Sequence, residues 1–148
     1  MDKITKAKKQ LENIKENIVG YRFRHFKGNI YVVTDIAINS ETEEPMVVYK
    51  DVNNPNMVWC RPLNMFLEKV DREKYPDVKQ NLRFERIITR DVLHKKYGIE
   101  RLMPPSTLYE ELSSKDAEFY EKQLRITKEM FDHWDDKDYW EDMDDNIE

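Results

Sequence analysis

Between positions 21 and 87 the chain consists of short β-branched and aromatic runs bounded by turn residues, and that texture restricts this stretch to an antiparallel meander. Residues 21–26 read as one strand and 30–38 as the next, joined by the tight turn Lys27-Gly28-Asn29. A polar turn at 39–44 leads to a strand at 46–49. The stretch DVNNPN supplies another connection, and 58–61 forms a fourth strand that Pro62 keeps from continuing as a central one. Leu63, Phe66 and Leu67 suggest one helical turn before a strand near Val70. The segment DREKYPDVKQ reads as a surface loop, and LRFERI has the alternation of a closing strand. Five or six short strands predict a small antiparallel β-barrel or strongly curved sheet, since closure hides edges that would otherwise pair with another chain.

The flanking segments follow the helical period instead. Ile4, Ala7, Leu11, Ile14 and Ile18 lie on one helix face, with Gly20 as terminator. The lysines of this helix (Lys3, Lys6, Lys8, Lys9, Lys15) are diluted by Asp2, Glu12 and Glu16, so a packing helix is a better reading than a phosphate grip. Beyond Ile88, Thr89 or Asp91 can cap a short helix ending at Gly98, and Pro104-Pro105 breaks the chain. Thr107 and Glu110 have capping-box spacing, and Ser113 or Ser114 starts the longest helix. That helix carries Ala117, Tyr120, Leu124, Phe131 and Trp134 on one face, widened by Phe119, Ile126 and Met130. The stripe is broader than one small barrel covers, which predicts packing on a second subunit and a homo-oligomer. The expected class is therefore α+β, in four parts: an amphipathic helix at 1–20, the β domain at 21–88, a helical extension at 89–134 and an acidic tail at 135–148.

A chain that is 37% charged and 39% hydrophobic supports only a thin core, so association would help its stability. One cysteine excludes an internal disulfide. With no apolar run of membrane length and no signal-peptide pattern, the expectation is a cytoplasmic protein with no membrane partner. The net charge of −5 is unevenly spread: nine acids stand against Lys137 between positions 132 and 148, leaving a mildly basic body.

The single cysteine lies in the stretch MVWCRPLNMF. A nucleophilic thiolate needs a base, and the chain offers only His25, His94 and His133. His25 lies on a neighbouring strand within conceivable reach of Cys60, but no signature of a cysteine enzyme surrounds it. A small, buried, apolar Cys60 is the better reading. No CxxC, paired histidine or glycine-centred calcium loop occurs, and no GxGxxG, Walker, GxSxG or HExxH pattern. We therefore expect neither an enzyme nor a metal or cofactor protein.

A binding constellation is more informative. Arg24, His25 and Lys27 crowd the first strand and its turn, beside Arg22; Tyr31 and Tyr49 stand on later strands, and Trp59 and Arg61 on the fourth. Rings stack on planar bases and guanidinium groups fork onto phosphates or carboxylates, so this set suits a nucleotide-like or other anionic ligand. The competing reading makes Tyr49 and Trp59 plain core residues under arginine stems. The tail WDDKDYWEDMDDNIE has the composition of a disordered, solubilising segment. Its Trp134, Tyr139 and Trp140 are nonetheless residue types that anchor interfaces, so docking to a host protein, or mimicry of a nucleic-acid backbone, is the alternative.

The motifs His25-Phe26-Lys27-Gly28, Ser40-Glu41-Thr42, Val47-Val48-Tyr49, Trp59, Arg61-Pro62 and Met65-Phe66, closing with Arg83-Phe84, together resemble the family called domain of unknown function 1653, over about residues 21–87. Asn39 stands where that family often has histidine, which removes a catalytic imidazole there, and Phe23-Arg24 looks inserted relative to the shortest opening motif. The resemblance implies a small bacterial or phage-borne protein of a family without a settled activity. It also makes a mobile-element accessory plausible, one that sequesters a host defence signal. The leading expectation is thus a non-enzymatic binder, with Arg24, Lys27, Tyr31, Trp59 and Arg61 as principal contacts. The alternative is an inhibitor or adaptor acting through the tail.

Overall fold

The computed structural model describes residues 2–98 and 106–146. Helix α1 (Lys3–Ile18) is capped by Asp2, whose carboxylate accepts the Thr5 amide at 2.8 Å. It buries Ala7, Ile14 and Ile18, while Ile4 at its start stays exposed. Four strands follow as a meander: β1 (Arg22–His25), β2 (Ile30–Ile38), β3 (Pro45–Asp51) and β4 (Asn54–Pro62). Gly28, at φ 109°, supplies the left-handed conformation that the β1–β2 turn needs. Helix α2 (Leu63–Phe66) then leads through a long loop to β5 (Phe84–Arg86), which returns to pair antiparallel with β1. The strand expected near Val70 reduces to a single bridge between Lys69 and Leu82.

The sheet order is β4-β3-β2-β1-β5, and every pairing is antiparallel. This corrects the expectation of a closed barrel: the sheet is open, with β4 and β5 at its edges. Helices cover the apolar face that closure would have hidden. Phe23, Val33, Val47, Tyr49 and Phe84 of the sheet share one buried cluster with Ile14 and Ile18 of α1, Leu63 and Phe66 of α2, and Tyr120 and Leu124 further along the chain.

Helix α3 (Arg90–Tyr97) begins at the Thr89 cap and ends at Gly98, as the sequence predicts. Helix α4 runs unbroken over Ser106–Asp132, so Ser113 and Ser114 are interior residues and not its start. A serine inside a helix costs only a few tenths of a kcal/mol, too little to break a helix flanked by good formers. The Pro104-Pro105 break and the Thr107 side chain lie outside the described residues and side chains. Of the predicted α4 stripe, Tyr120, Leu124, Met130, Phe131 and Trp134 are buried, whereas Ala117 and Phe119 face solvent.

The acidic tail is a further correction. Residues 137–146 form helix α5 (Lys137–Asn146), which folds Trp140 into the main core. The Trp140 indole donates to the His133 carbonyl at 2.9 Å and that of Trp134 to the Thr42 carbonyl at 3.4 Å. The Lys3 ammonium sits 4.0 Å above the Trp134 ring. Composition pointed to a solvated tail, but two tryptophans bury enough area to hold an otherwise polar helix against the body.

One buried polar network ties the helices to the sheet. Arg86 of β5 donates to Asp116 of α4 at 2.5 Å and to the Asn17 carbonyl of α1 at 3.1 Å, and its guanidinium stacks 3.8 Å from the Tyr120 ring. The Arg86 and Asp116 side chains are 3% and 1% exposed. Lys96 of α3 also pairs with Asp116, and the Tyr97 hydroxyl donates to it at 3.0 Å. Burial alone would raise the Asp116 carboxyl, but the Lys96 hydrogen bond and the Arg86 charge outweigh it and hold the group below its usual range.

Candidate functional site

Alternation along the strands sorts the candidate residues by face. Phe23 and His25 share a side of β1; Tyr31 lies opposite Phe23, Tyr49 opposite Val33, Trp59 opposite Tyr49 and Arg61 opposite Val47. His25, Tyr31, Tyr49, Trp59 and Arg61 therefore stand on the face that also carries the core. Tyr49 is buried; His25, Tyr31 and Arg61 are half-buried, and Trp59 is 46% exposed. This set thus straddles the rim where the core meets solvent. Arg24 points to the other face, opposite Glu85 of β5, and is not brought to the cluster. Lys27 sits in the β1–β2 turn beside it.

The structure also answers the question of Cys60. It pairs with Val48 and is exposed, on the face away from His25, so it is neither a buried apolar residue nor within reach of an imidazole base. Since Trp59 and Cys60 are neighbours on a regular stretch, placing Trp59 on the core face turns Cys60 outward.

Phe84 is the hub of the ring cluster. Its centroid lies 4.2 Å from Phe66 in a stacked pair and 5.0, 5.4 and 5.9 Å from His25, Tyr49 and Tyr31, with the Arg61 guanidinium carbon 5.9 Å from it. Outward from the hub, His25 stacks on Phe26 at 4.4 Å, and Phe26 meets Tyr75 at 4.8 Å. The Lys27 ammonium lies 5.9 Å from the Phe26 ring and 5.6 Å from Tyr75.

The electrostatics of this rim are set by His25. Burial, followed by the positive charges of Arg83, Arg61 and Lys27, lowers its pKa from 6.5 to about 4. Its Nδ1 accepts the Lys27 amide at 3.1 Å, so the neutral ring carries its proton on Nε2 and can donate from there. Arg83 pairs with Glu68, but no salt bridge among the described residues engages Arg61 or Lys27. Local positive charge in excess of acid, beside stacked rings, is chemistry for holding an anion attached to a planar group.

This gives a titration prediction. The folded His25 disfavours its charged form, so the unfolded chain binds the proton first on acidification. Stability rises with pH between about 4 and the ordinary 6.5 and is unaffected by this group above that. A bound anion favours the charged ring, so NMR titration of the His25 ring should show its midpoint move upward from about 4 when inorganic phosphate or a nucleotide binds.

Of the residues the sequence nominates, the sheet brings His25, Tyr31, Tyr49, Trp59 and Arg61 to one face with Lys27 in the adjoining turn, and it turns Arg24 away. Sequence reasoning missed Phe26, Tyr75 and the His25–Arg83 interaction as parts of the site. The signal for Phe84 was present, since the alternation in LRFERI puts Phe84 and Arg86 on one face, but nothing in a loop such as DREKYPDVKQ says where Tyr75 will fold.

Residues 21–86, which span the whole five-stranded sheet, match the family model described as Protein of unknown function (DUF1653). This segment belongs to that family. The DUF1653 segment therefore contains His25, Tyr31, Tyr49, Trp59, Arg61, Arg83 and Phe84, while α1, α3, α4 and α5 lie outside it. Neither the curated proteins nor the solved structures contain a match to the chain. Among the described residues no cluster of three metal-ligating side chains occurs, and no helix is long and apolar enough to cross a membrane.

Proposed function

We propose that the protein is a non-enzymatic binding module whose DUF1653 sheet holds a nucleotide-like anion at the His25–Arg61 rim. The observation that carries this reading is the convergence of His25, Arg61, Arg83 and Lys27, close enough to add to the burial that depresses the imidazole, on a rim lined by Tyr31 and the exposed Trp59 above the buried Phe84. Arg61 and Lys27 serve the phosphate, His25 donates from Nε2, and Trp59 stacks on the base. Sequestration needs only affinity and stoichiometry, so no acid–base pair is required.

The alternative, inhibition of a protein partner through the tail, has less support. Trp134 and Trp140, its would-be anchors, are 7% and 6% exposed and already serve the chain's own core. Tyr139 is partly buried and stacks on His133 at 4.5 Å.

Isothermal titration calorimetry with adenosine and uridine 5′-monophosphates tests the proposal. A hydrogen-bonded charge contributes about 1.5–3 kcal/mol, so Arg61→Ala should weaken binding roughly ten- to hundredfold, and the Trp59→Ala/Arg61→Ala double variant further. Unchanged affinity in a double variant with wild-type circular dichroism would sink the reading.

A further inference from the structure

The ring contacts at the rim extend beyond the cluster around Phe84. From Tyr49 the run continues through Tyr31 at 5.3 Å, His25 at 6.5 Å, Phe26 at 4.4 Å and Tyr75 at 4.8 Å, and at its other end Trp59 stands opposite Tyr49 across the strands. Tyr75 is itself a second aromatic station, half-buried in the loop between α2 and β5, with the ammonium groups of Lys27 and Lys74 each 5.6 Å from its ring. The two stations, Trp59 with Arg61 and Tyr75 with Lys27 and Lys74, are separated by the His25–Tyr31 stretch.

The cations along this run are open to a ligand's charge. Arg83, Arg86 and Lys96 are committed to Glu68 or Asp116, whereas Lys27, Arg61 and Lys74 have no salt-bridge partner among the described residues. A mononucleotide offers one ring and one phosphate cluster, and so engages one station. A chain of bases joined by phosphates offers rings and charges in alternation, which is the pattern presented here.

We infer that the ligand of this rim is single-stranded nucleic acid, bound along the line Trp59–Arg61, His25–Tyr31, Phe26–Tyr75, with Lys27 and Lys74 on its backbone. The inference rests on the reading of the rim as a nucleotide-like site and extends it from one base to several. The contacts are to ring faces and backbone charges, so binding tolerates sequence, and duplex, whose base faces are stacked away, is excluded from the stations. Three uncommitted cations also fix the salt response: single strands release roughly 0.7 counterion per neutralised phosphate, so log K should fall with log salt at a slope of about −2.

The test titrates the wild-type chain with thymidine 5′-monophosphate, with dT oligomers of two, four and eight nucleotides, and with the matching uridine series, reading affinity by calorimetry or anisotropy at two salt concentrations. We expect at least a tenfold gain from monophosphate to tetramer in one or both series and little more at eight. Tyr75→Ala, checked by circular dichroism for folding, should remove most of that gain. Stronger binding by the uridine series would name RNA as the preferred strand, and stronger binding by dT would name DNA, either outcome supporting the inference. A monophosphate that binds as well as the tetramer would overturn the inference and leave the mononucleotide reading standing. Absence of binding by every member of both series would overturn the two together, and preference for a duplex of the same length would overturn the single-strand assignment.

Discussion

Replacing Asp116 with alanine should destabilise the protein by about 3–5 kcal/mol, the usual cost of removing one partner from a buried ion pair. The loss comes less from the missing attraction than from what remains: a guanidinium on Arg86, 3% exposed, with its carboxylate gone. Among the described residues the Asn17 carbonyl and the Tyr120 and Tyr21 ring faces would be left to compensate it, and the Lys96 ammonium would lose the same partner. Because Asp116 joins α3 and α4 to β5, the damage is not local, and a single cooperative transition should shift as a whole. For a chain of this size each kcal/mol moves the melting temperature by roughly 2–4 °C, so a fall of roughly 6–20 °C is expected in differential scanning calorimetry. Asp116→Asn keeps an acceptor for Arg86 and should fall between the variant and the wild type. The pH dependence has a definite sign. The folded carboxyl titrates below its ordinary 3.8, so its stabilisation is intact above that value and is lost only as pH falls through the lower, folded one. A variant with wild-type melting behaviour would show that the network is dispensable.

Phe84→Ala should cost a similar amount, about 3–5 kcal/mol, and should damage the candidate site at the same time. The ring is 3% exposed, stacks on Phe66 at 4.2 Å and edges against His25, Tyr49 and Tyr31. Truncation opens a cavity between the sheet and α2 whose walls are rigid aromatics that cannot collapse into it. The urea midpoint should fall with little change in the slope, and affinity for nucleotides should fall in conditions where the variant remains folded, because His25 and Arg61 both rest near that ring. Phe84→Leu retains most of the volume and should cost well under half as much. If Phe84→Ala lost stability and kept full affinity, the rim would not depend on the ring hub beneath it.

Much of the candidate site's layout was legible in the sequence. His25, Tyr31, Tyr49, Trp59 and Arg61 lie on strands whose period is two, so their alternation told which of them could share a face. Arg24 was misplaced for the same reason: it is one residue from His25, and adjacent strand residues point apart. The turn at Gly28, the cap at Thr89 and the stop at Gly98 were equally legible, because each depends on a local backbone requirement that few residue types meet.

Local patterning along the sequence therefore determined the meander, the helical flanks, the Thr89 cap and the alternation that sets His25, Tyr31, Tyr49, Trp59 and Arg61 on one face, since these follow from neighbours within a few positions. Only the tertiary structure decided that the sheet stays open, that Arg86 and Asp116 meet thirty residues apart, that Tyr75 joins the rim, and that α5 docks through Trp140. Those outcomes depend on which apolar face is covered by which element, a competition among buried areas that no short window of sequence contains.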